Sequence, residues 1–457
     1  MDSLPRPTGL LPVWGLEWWF FPRRFDRRVQ GVGDRYVLRF PTMAPILVTT
    51  SPNDCAVIFK DKANALRFGE GLRRLAPHEA LFGRDMLDLS DGEGHIAFRR
   101  DVVPVFHGEA LKGYERSMVQ VTEQLLDKLP VDQELRFGKF TLELARDVII
   151  STVFGVVKGE RAARLAAALD RLDHVFNGVE IAGRFLAAMA MGRWAPFPRL
   201  EQLNAQIDGI ALEEILERRR SGDLDREDCL ALFMKVQERS GTEVLSDTRI
   251  TQWMRMLLIA GWETTAVTVA WIVERLTRHP EALARCEEEA QTDQHTYMDA
   301  VITEALRLRP ALPLTVRYAA KEFDLNGLTV PRGTLIAIDI ERVHLRPDVY
   351  PDPHAFRPER FLETKPGAST FVPFGGGVHR CVGAQFSQFE ARIIMRTLLR
   401  RFRLAPVTTA SEAQQRRNIL AAPSRGARVT LRSRPGTATH GTSHQGSTAD
   451  RFAGSHA

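Results

Sequence analysis

Three consecutive glycines stand just before a lone cysteine in Phe374-Gly-Gly-Gly-Val-His-Arg-Cys-Val-Gly-Ala384. A run without side chains forms a tight loop whose backbone can approach something flat and large. The apolar periodicity from Val382 to Arg401 reads as a helix, so Cys381 opens that helix. A helix N-terminus stabilises an anion and favours the thiolate, the nucleophilic and metal-binding form of cysteine. On this loop alone, a buried structural thiol is the competing reading. Cys55, Cys229 and Cys286 lie far from it and from one another, with no CxxC pair. That spacing disfavours a disulfide scaffold or a structural zinc site and fits a reducing cytoplasm.

The pattern along the chain predicts a mainly α protein with small β-sheets, an α+β class. Tyr36–Phe40 and Ile46–Thr50 read as a small hairpin or sheet, and residues 53–65 as a helix. Helical periodicity then covers 114–129, 142–154, 161–176, 200–220 and 246–279. Residues 194–198 form a stiff Pro-containing connector, and residues 221–225 a polar loop. Beyond Pro310, strand-like runs at 315–318, 323–325 and 335–338 are punctuated by Asn326-Gly327 and Arg332-Gly333. Two β-type runs near Ile419 and Val429 are expected to join across residues 423–426. From Ser433 the chain is Gly, Ser, Thr and His with almost no large apolar residue, and is expected to be a disordered tail. One domain is expected over 1–432.

Composition excludes more than it identifies. The chain has 457 residues, and 62 Lys plus Arg against 57 Asp plus Glu leave a charge of only +5. That excess is too small to argue for nucleic acid. No transmembrane span is expected, since the best N-terminal candidate, residues 10–21, holds Pro12 and Glu17 and is short of the ~20 residues a span needs. Its aromatics, Trp14, Trp18, Trp19, Phe20 and Phe21, either pack on the body or form a patch for peripheral membrane contact.

Four further patterns bear on chemistry. Ala260-Gly-Trp-Glu-Thr-Thr265 sets poor helix formers inside an apolar helix, which asks for a local distortion and a Thr264 hydroxyl bonded elsewhere than to backbone. Met256, Ala260, Thr264 and Thr268 recur at i+4 on one face. Glu304 and Arg307 form an i,i+3 pair in an apolar helix, with Arg360 nearby in Phe356-Arg-Pro-Glu-Arg-Phe361. His95 and Arg99, at i,i+4, share a helical face. The basic residues Arg392, Arg396, Arg400 and Arg403 read either as a docking face on the last helix or as a solvated face with internal ion pairs.

The Phe374, Gly377, His379, Cys381 and Gly383 pattern resembles the haem-binding signature of the cytochromes P-450, with His379 where many members carry arginine. The other motifs resemble that family's in order and spacing, over about residues 10–432. The resemblance implies the cytochrome P-450 fold, with non-covalent haem b (iron protoporphyrin IX) between the oxygen-side helix 246–279 and the helix after the Cys loop. It implies Cys381 as the axial ligand of the haem iron. His95, Arg99, Arg317 and His379 would bind the haem carboxylates, with Phe374 and Gly377 shaping the loop. Thr264 and Glu263 would deliver protons during oxygen activation, and small Ala260 and Gly261 would leave room for oxygen and substrate. Glu304, Arg307 and Arg360 would support the haem loop structurally.

By the same resemblance the protein is a monomeric monooxygenase that inserts one oxygen atom of O₂ into a substrate. Electrons would come from NAD(P)H through a separate ferredoxin and ferredoxin reductase, because the length leaves no space for a flavin domain. Substrate contacts are expected from Leu75, Phe82, Met86, Met256, Ala260, Ala311, Leu312, Leu314, Leu420 and Ala421. None of these is charged, which favours a hydrophobic terpenoid, steroid, fatty acid or polyketide. A haem-thiolate peroxygenase or isomerase, or a non-catalytic haem sensor, are the alternatives. The Glu263-Thr264 pair argues against the peroxygenase and isomerase readings, which need no proton relay.

Overall fold

The structure, a computed structural model, describes residues 4–6, 17, 22–39, 44–62, 64–75, 82, 91–155, 159–177, 181, 183–184, 187–188, 191, 197–240 and 245–434. The expectations on the N-terminal aromatics, on Met86, on most of the 194–198 connector and on the tail beyond Arg434 lie outside these residues.

The helix Asp247–Leu276 forms the spine. Ser246 caps it, its hydroxyl accepting the Arg249 N–H at 3.3 Å. At the other end the Thr277 hydroxyl donates to the Val273 and Glu274 carbonyls, each at 3.0 Å, and Pro280 opens the next helix. Among the described residues it is the one helix long and apolar enough to cross a bilayer, yet most of it is packed inside the protein. Its main partner is the helix Phe137–Phe154. That helix stops at Gly155, with φ +63°, where the Asp228 carboxylate lies so close that any Cβ would overlap it.

The contact between these two helices explains Gly261. A Cβ there would lie 2.9 Å from Ile149 Cδ1. Next to it, Trp262 is buried and its indole N–H donates to the Leu142 carbonyl at 2.7 Å. Gly261 thus lets two helices approach. The expectation that it leaves room for a ligand is corrected, because its open face points at a neighbouring helix.

Around this pair run Glu109–Leu126, Glu160–Asn177, Pro198–Ser221 and Ala384–Arg401, close to the spans that periodicity indicates. One helix ends early. Pro52–Lys60 stops because Asp61 adopts a left-handed conformation, φ +33°. Its carboxylate accepts the N–H groups of Ala65 and Leu66, at 2.9 and 3.0 Å. The chain this releases becomes the edge strand Leu66–Arg67.

That strand closes a five-stranded sheet with the order 35–38, 46–49, 335–339, 314–319, 66–67, in which only the 46–49/335–339 pairing is parallel. The two C-terminal runs do not form one hairpin. Leu420–Pro423 pairs with Gln414–Arg417, whereas Arg428–Ser433 pairs with Phe402–Pro406 and Glu134–Arg136. The turn across 423–426 carries the chain from one sheet to another, because the partners of each run are non-local. Arg434 still belongs to the body, its Nε donating to the Leu399 carbonyl at 2.7 Å.

Replacing Gly261 by Val should destabilise the fold by roughly 1–3 kcal/mol through overpacking. Adding Ile149→Ala should recover part of that loss in a double-mutant cycle followed by urea denaturation. Purely additive costs would refute the contact.

Candidate active site around Cys381

The Cys381 loop is held from both sides. Gly376 and Gly377 press on the helix Pro52–Lys60, where a Cβ on Gly376 would overlap the Phe59 ring and one on Gly377 the Phe59 carbonyl. Gly377 also has φ +67°, a conformation that L side chains rarely adopt. The close approach that the glycines predict is therefore made, at two of the three, to Phe59. Within the loop the Cys381 N–H donates to the Phe374 carbonyl at 2.9 Å and the Arg380 N–H to that of Gly377 at 3.1 Å. Cys381 is exposed, while Cys55, Cys229 and Cys286 are buried. The following helix begins at Ala384, so Cys381 lies just ahead of it and not at its first residue.

Three carbonyls at alternate positions face three donors. Arg317 Nη2 donates to Gly376 O at 3.2 Å, His95 Nε2 to Val378 O at 3.1 Å, and Arg99 Nη1 to Arg380 O at 2.6 Å. His379 packs its ring against His95, with centroids 4.0 Å apart, and its Nε2 lies 3.3 Å from Asp91 Oδ1. The four residues expected to bind haem carboxylates thus come together around Cys381, from the helix Glu93–Val102, the strand Leu314–Ala319 and the loop itself.

One feature of this cluster suits an anionic group. Arg317 is buried and makes no ion pair with a described residue, and burial lowers its pKa to about 10. His379 Nδ1 is buried without a hydrogen-bond partner among the described residues, and with Nε2–H directed at Asp91 it accepts and does not donate. Burial lowers the His379 pKa to about 4 and keeps the ring neutral, against the pull of Asp91. A thiolate-bound haem with two carboxylates fits this donor set.

The loop hangs from a buried charge cluster. Glu304 receives Arg307 Nε at 2.6 Å and Nη2 at 2.8 Å, Arg360 Nε at 3.2 Å and the Arg357 N–H at 2.8 Å. Arg307 also donates to the carbonyls of His344, Pro353 and Ala355. His344 then bridges to the loop. Its Nδ1–H donates to Arg307 O at 3.1 Å, and its Nε2 accepts the Val372 N–H at 2.8 Å. Those partners require the neutral ring protonated on Nδ1, and burial lowers the His344 pKa to about 3.

On the oxygen-side helix, every residue from Ile250 to Leu276 is at least partly buried except Ala260. Thr264 follows one turn later, and its hydroxyl donates to the Ala260 carbonyl at 2.7 Å. The expected non-backbone partner is corrected: with the helix unbroken, the nearest acceptor is the carbonyl four residues back. Glu263 turns to another side, where Arg417, Asn418 and Asn177 donate to it.

The expected substrate residues divide into three groups. Phe82 and Met256 belong to the large helical core. Leu420 is buried with Val267, Trp271 and Ala311, and Leu312 packs against them. Leu314 and Leu75 pack on the five-stranded sheet. Ala421 ties the second group together, its N–H donating to Ala311 O at 2.9 Å and its carbonyl accepting the Trp271 N–H at 2.7 Å.

The basic residues of the last helix are engaged internally. Arg392 pairs with Asp299 at 2.7 Å, Arg396 with Glu115 at 2.6 Å, and Arg400 Nε donates to Ala290 O at 2.6 Å. Arg403 lies in the strand Phe402–Pro406 and does not share their helix. Sequence reasoning missed Phe59, Asp91 and His344. Asp91 stands just before a helix, where an acid reads as a capping residue. No spacing marks the other two.

A family model described as Cytochrome P450 matches residues 5–431. Cytochrome P450 137 of Mycobacterium tuberculosis is 33% identical over 411 residues, covering 90% of this chain and 85% of its own. Cytochrome P450 138 of Mycobacterium bovis is 31% identical over 421 residues, covering 90% and 92%. Retinoic acid bound cyanobacterial CYP120A1 superimposes with a TM-score of 0.78 at 21% identity, over 94% of this chain and 99% of that one.

Glu304→Ala should cost about 3–5 kcal/mol, because it leaves two guanidinium groups buried without their carboxylate. Denaturant titration checks this, and a loss under 1 kcal/mol would exclude the role given to the cluster. A pH effect follows from His344. Its ordinary pKa of 6.5 drops to about 3 in the folded protein, so the unfolded chain takes up the proton first. Its contribution is complete above about pH 6.5 and is lost as pH falls towards 3. Between about pH 7 and about pH 5 the wild type should lose more stability than His344→Gln, by about 1–2 kcal/mol.

Proposed function

The chain belongs to the cytochrome P450 family and is a haem monooxygenase, and from that premise we propose that Cys381 is the thiolate ligand of its haem iron and that its substrate is an apolar small molecule. The observation that carries the proposal for Cys381 is the convergence of Arg317, His95, Arg99 and His379 on the loop around an exposed cysteine. When bound, the haem supplies reductive activation of dioxygen, with one oxygen atom entering the substrate and the other leaving as water.

The chain's own residues hold and orient. The Gly376 and Gly377 contact with Phe59 keeps the loop rigid behind the sulfur. Arg317, His95 and Arg99 would hold the two haem carboxylates, with His379 packed against His95, and Arg317, buried and without an ion pair to a described residue, would contribute most because its charge is least screened. Thr264 presents its hydroxyl one turn from Ala260, and Glu263, the preceding residue, holds a proton on the side of the helix where Arg417, Asn418 and Asn177 meet it.

The substrate faces the apolar group formed by Val267, Leu312 and Leu420, with Ala260 exposed one turn from Thr264. A terpenoid, steroid, fatty acid or polyketide suits such walls. Electrons come from NAD(P)H through a ferredoxin and its reductase. With Arg392 and Arg396 paired inside the protein, docking uses other basic groups; the candidates are the exposed Arg380, which precedes Cys381, and the exposed Arg100, whose neighbour Arg99 bonds to the Arg380 carbonyl. Three buried cysteines, none in a disulfide, support a cytoplasmic location.

The reduced carbon monoxide complex of the purified haem protein should show the red-shifted Soret band of thiolate ligation, and Cys381→Ala should abolish it. A wild-type protein without that band would overturn the assignment of Cys381.

A further inference from the structure

We propose that Asp173 and Glu263 form a carboxyl pair that shares one proton, Asp173 being the outer member that loads Glu263 from solvent and Arg417 the cation that holds both in place. The proposal rests on the reading of Glu263 and Thr264 as the proton-delivery side of the site, and extends it to residues outside the oxygen-side helix.

Three segments distant in sequence build the pair. Asp173 and Asn177 lie on the helix Glu160–Asn177, Glu263 on Asp247–Leu276, and Arg417 and Asn418 at the turn between Gln414–Arg417 and Leu420–Pro423. The two carboxyls take the same donors. Asn177 Nδ2 reaches Asp173 Oδ1 at 2.8 Å and Glu263 Oε1 at 3.2 Å. Arg417 donates from Nε to Glu263 Oε1 at 3.2 Å and from Nη2 to Asp173 Oδ1. Asn418 Nδ2 holds the other Glu263 oxygen at 2.9 Å. Asn418 has φ +49°, so the turn itself is bent to deliver two neighbouring side chains to one acid.

Charge balance then asks for a proton. Two ionised carboxylates against one guanidinium would leave a net negative charge in a mostly buried cluster, whereas one shared proton makes it neutral. Burial and the neighbouring Asp173 carboxyl push Glu263 upward, and Arg417 opposes them. Among the described residues, the charged groups that reach Glu263 are Asp173 from one helix and Arg417 from the turn. The helix Phe137–Phe154 meets this stretch through Ile149 and the Leu142 carbonyl, and its Arg146 is paired with Asp147 and with Asp170, one turn before Asp173.

Exposure sets the direction. The Asp173 and Arg417 side chains are 26% and 23% exposed, and Glu263 15%. A proton from solvent therefore meets Asp173 first, passes to the Glu263 carboxylate, and leaves Asp173 ionised again, with no change in oxidation state. Glu263 directly precedes Thr264 on the helix. Asp173 is a positioning and loading residue, since it acts through Glu263.

The test uses the haem-loaded full chain and infrared titration of the protonated-carboxyl band, between about pH 5 and about pH 9. Wild type should show a band that Glu263→Gln removes. Asp173→Asn should lower its midpoint by about one pH unit or more, because the like charge is gone. Asp173→Glu should restore the wild-type midpoint. A second readout is the share of NADPH electrons released as hydrogen peroxide with a surrogate ferredoxin and reductase. Asp173→Asn should raise it about two-fold or more, with the carbon monoxide band intact and with reversal by Asp173→Glu. A Glu263 midpoint unmoved by Asp173→Asn overturns the shared proton, even where Thr264→Ala still releases peroxide and the monooxygenase reading stands. A wild-type protein without the thiolate band takes both readings down together.

Discussion

A carboxylate with no solvent exposure must be answered by charge and hydrogen bonds, or it will not stay ionised. Glu304 is such a group, and its answer organises the part of the molecule that carries the chemistry. Arg307 and Arg360 close on it from the same helix and from a segment some fifty residues later, and the Arg357 N–H supplies a further bond. Arg307 in turn fixes the carbonyls of residues 344, 353 and 355, so a stretch without regular secondary structure acquires definite positions. His344 hands that rigidity on to Val372, two residues before Phe374 and the glycines. Loops are ordinarily the adaptable part of a fold. Here the loop before Cys381 is tied to fully buried charges.

The front of the loop is governed by a second constraint. Gly376 and Gly377 give up side chains so that the backbone can lie on Phe59, and Arg317, His95 and Arg99 pin three alternate carbonyls. The same donors are the natural partners of two carboxylates. For Arg317 and Arg99 the present bonds and the proposed ones are compatible, because a guanidinium has five N–H groups and the loop carbonyls use only some of them. This economy lets one set of cations both shape the loop and receive a ligand.

The five residues 260–264 show how a helix divides labour. Successive side chains point about 100° apart, so neighbours in sequence address different surroundings. Ala260 and Thr264 share one face, Gly261 meets Ile149, Trp262 bonds to Leu142, and Glu263 enters the Asp173–Arg417 cluster. A motif that reads as one functional unit is, in space, a backbone-bonded hydroxyl, a packing contact, an anchor and a member of a charge cluster.

The sequence by itself determined what depends on short separations. It fixed the order and approximate span of the helices through apolar periodicity, and the Glu304–Arg307 pair. It also singled out the Cys381 loop by its three glycines. It went wrong or stayed silent where a residue's role depends on a neighbour far along the chain. The runs near 420 and 429 look alike locally but find their partners in different sheets. Arg392 and Arg396 look like an open basic face until Asp299 and Glu115 are brought against them. Gly261 is a weakness in a helix until Ile149 arrives, and no pattern announces His344 or Phe59. Periodicity is a property of one segment's own geometry. Ion-pair partners, strand partners and close approaches are set by which segments the completed core forces together, so only the tertiary structure decided them.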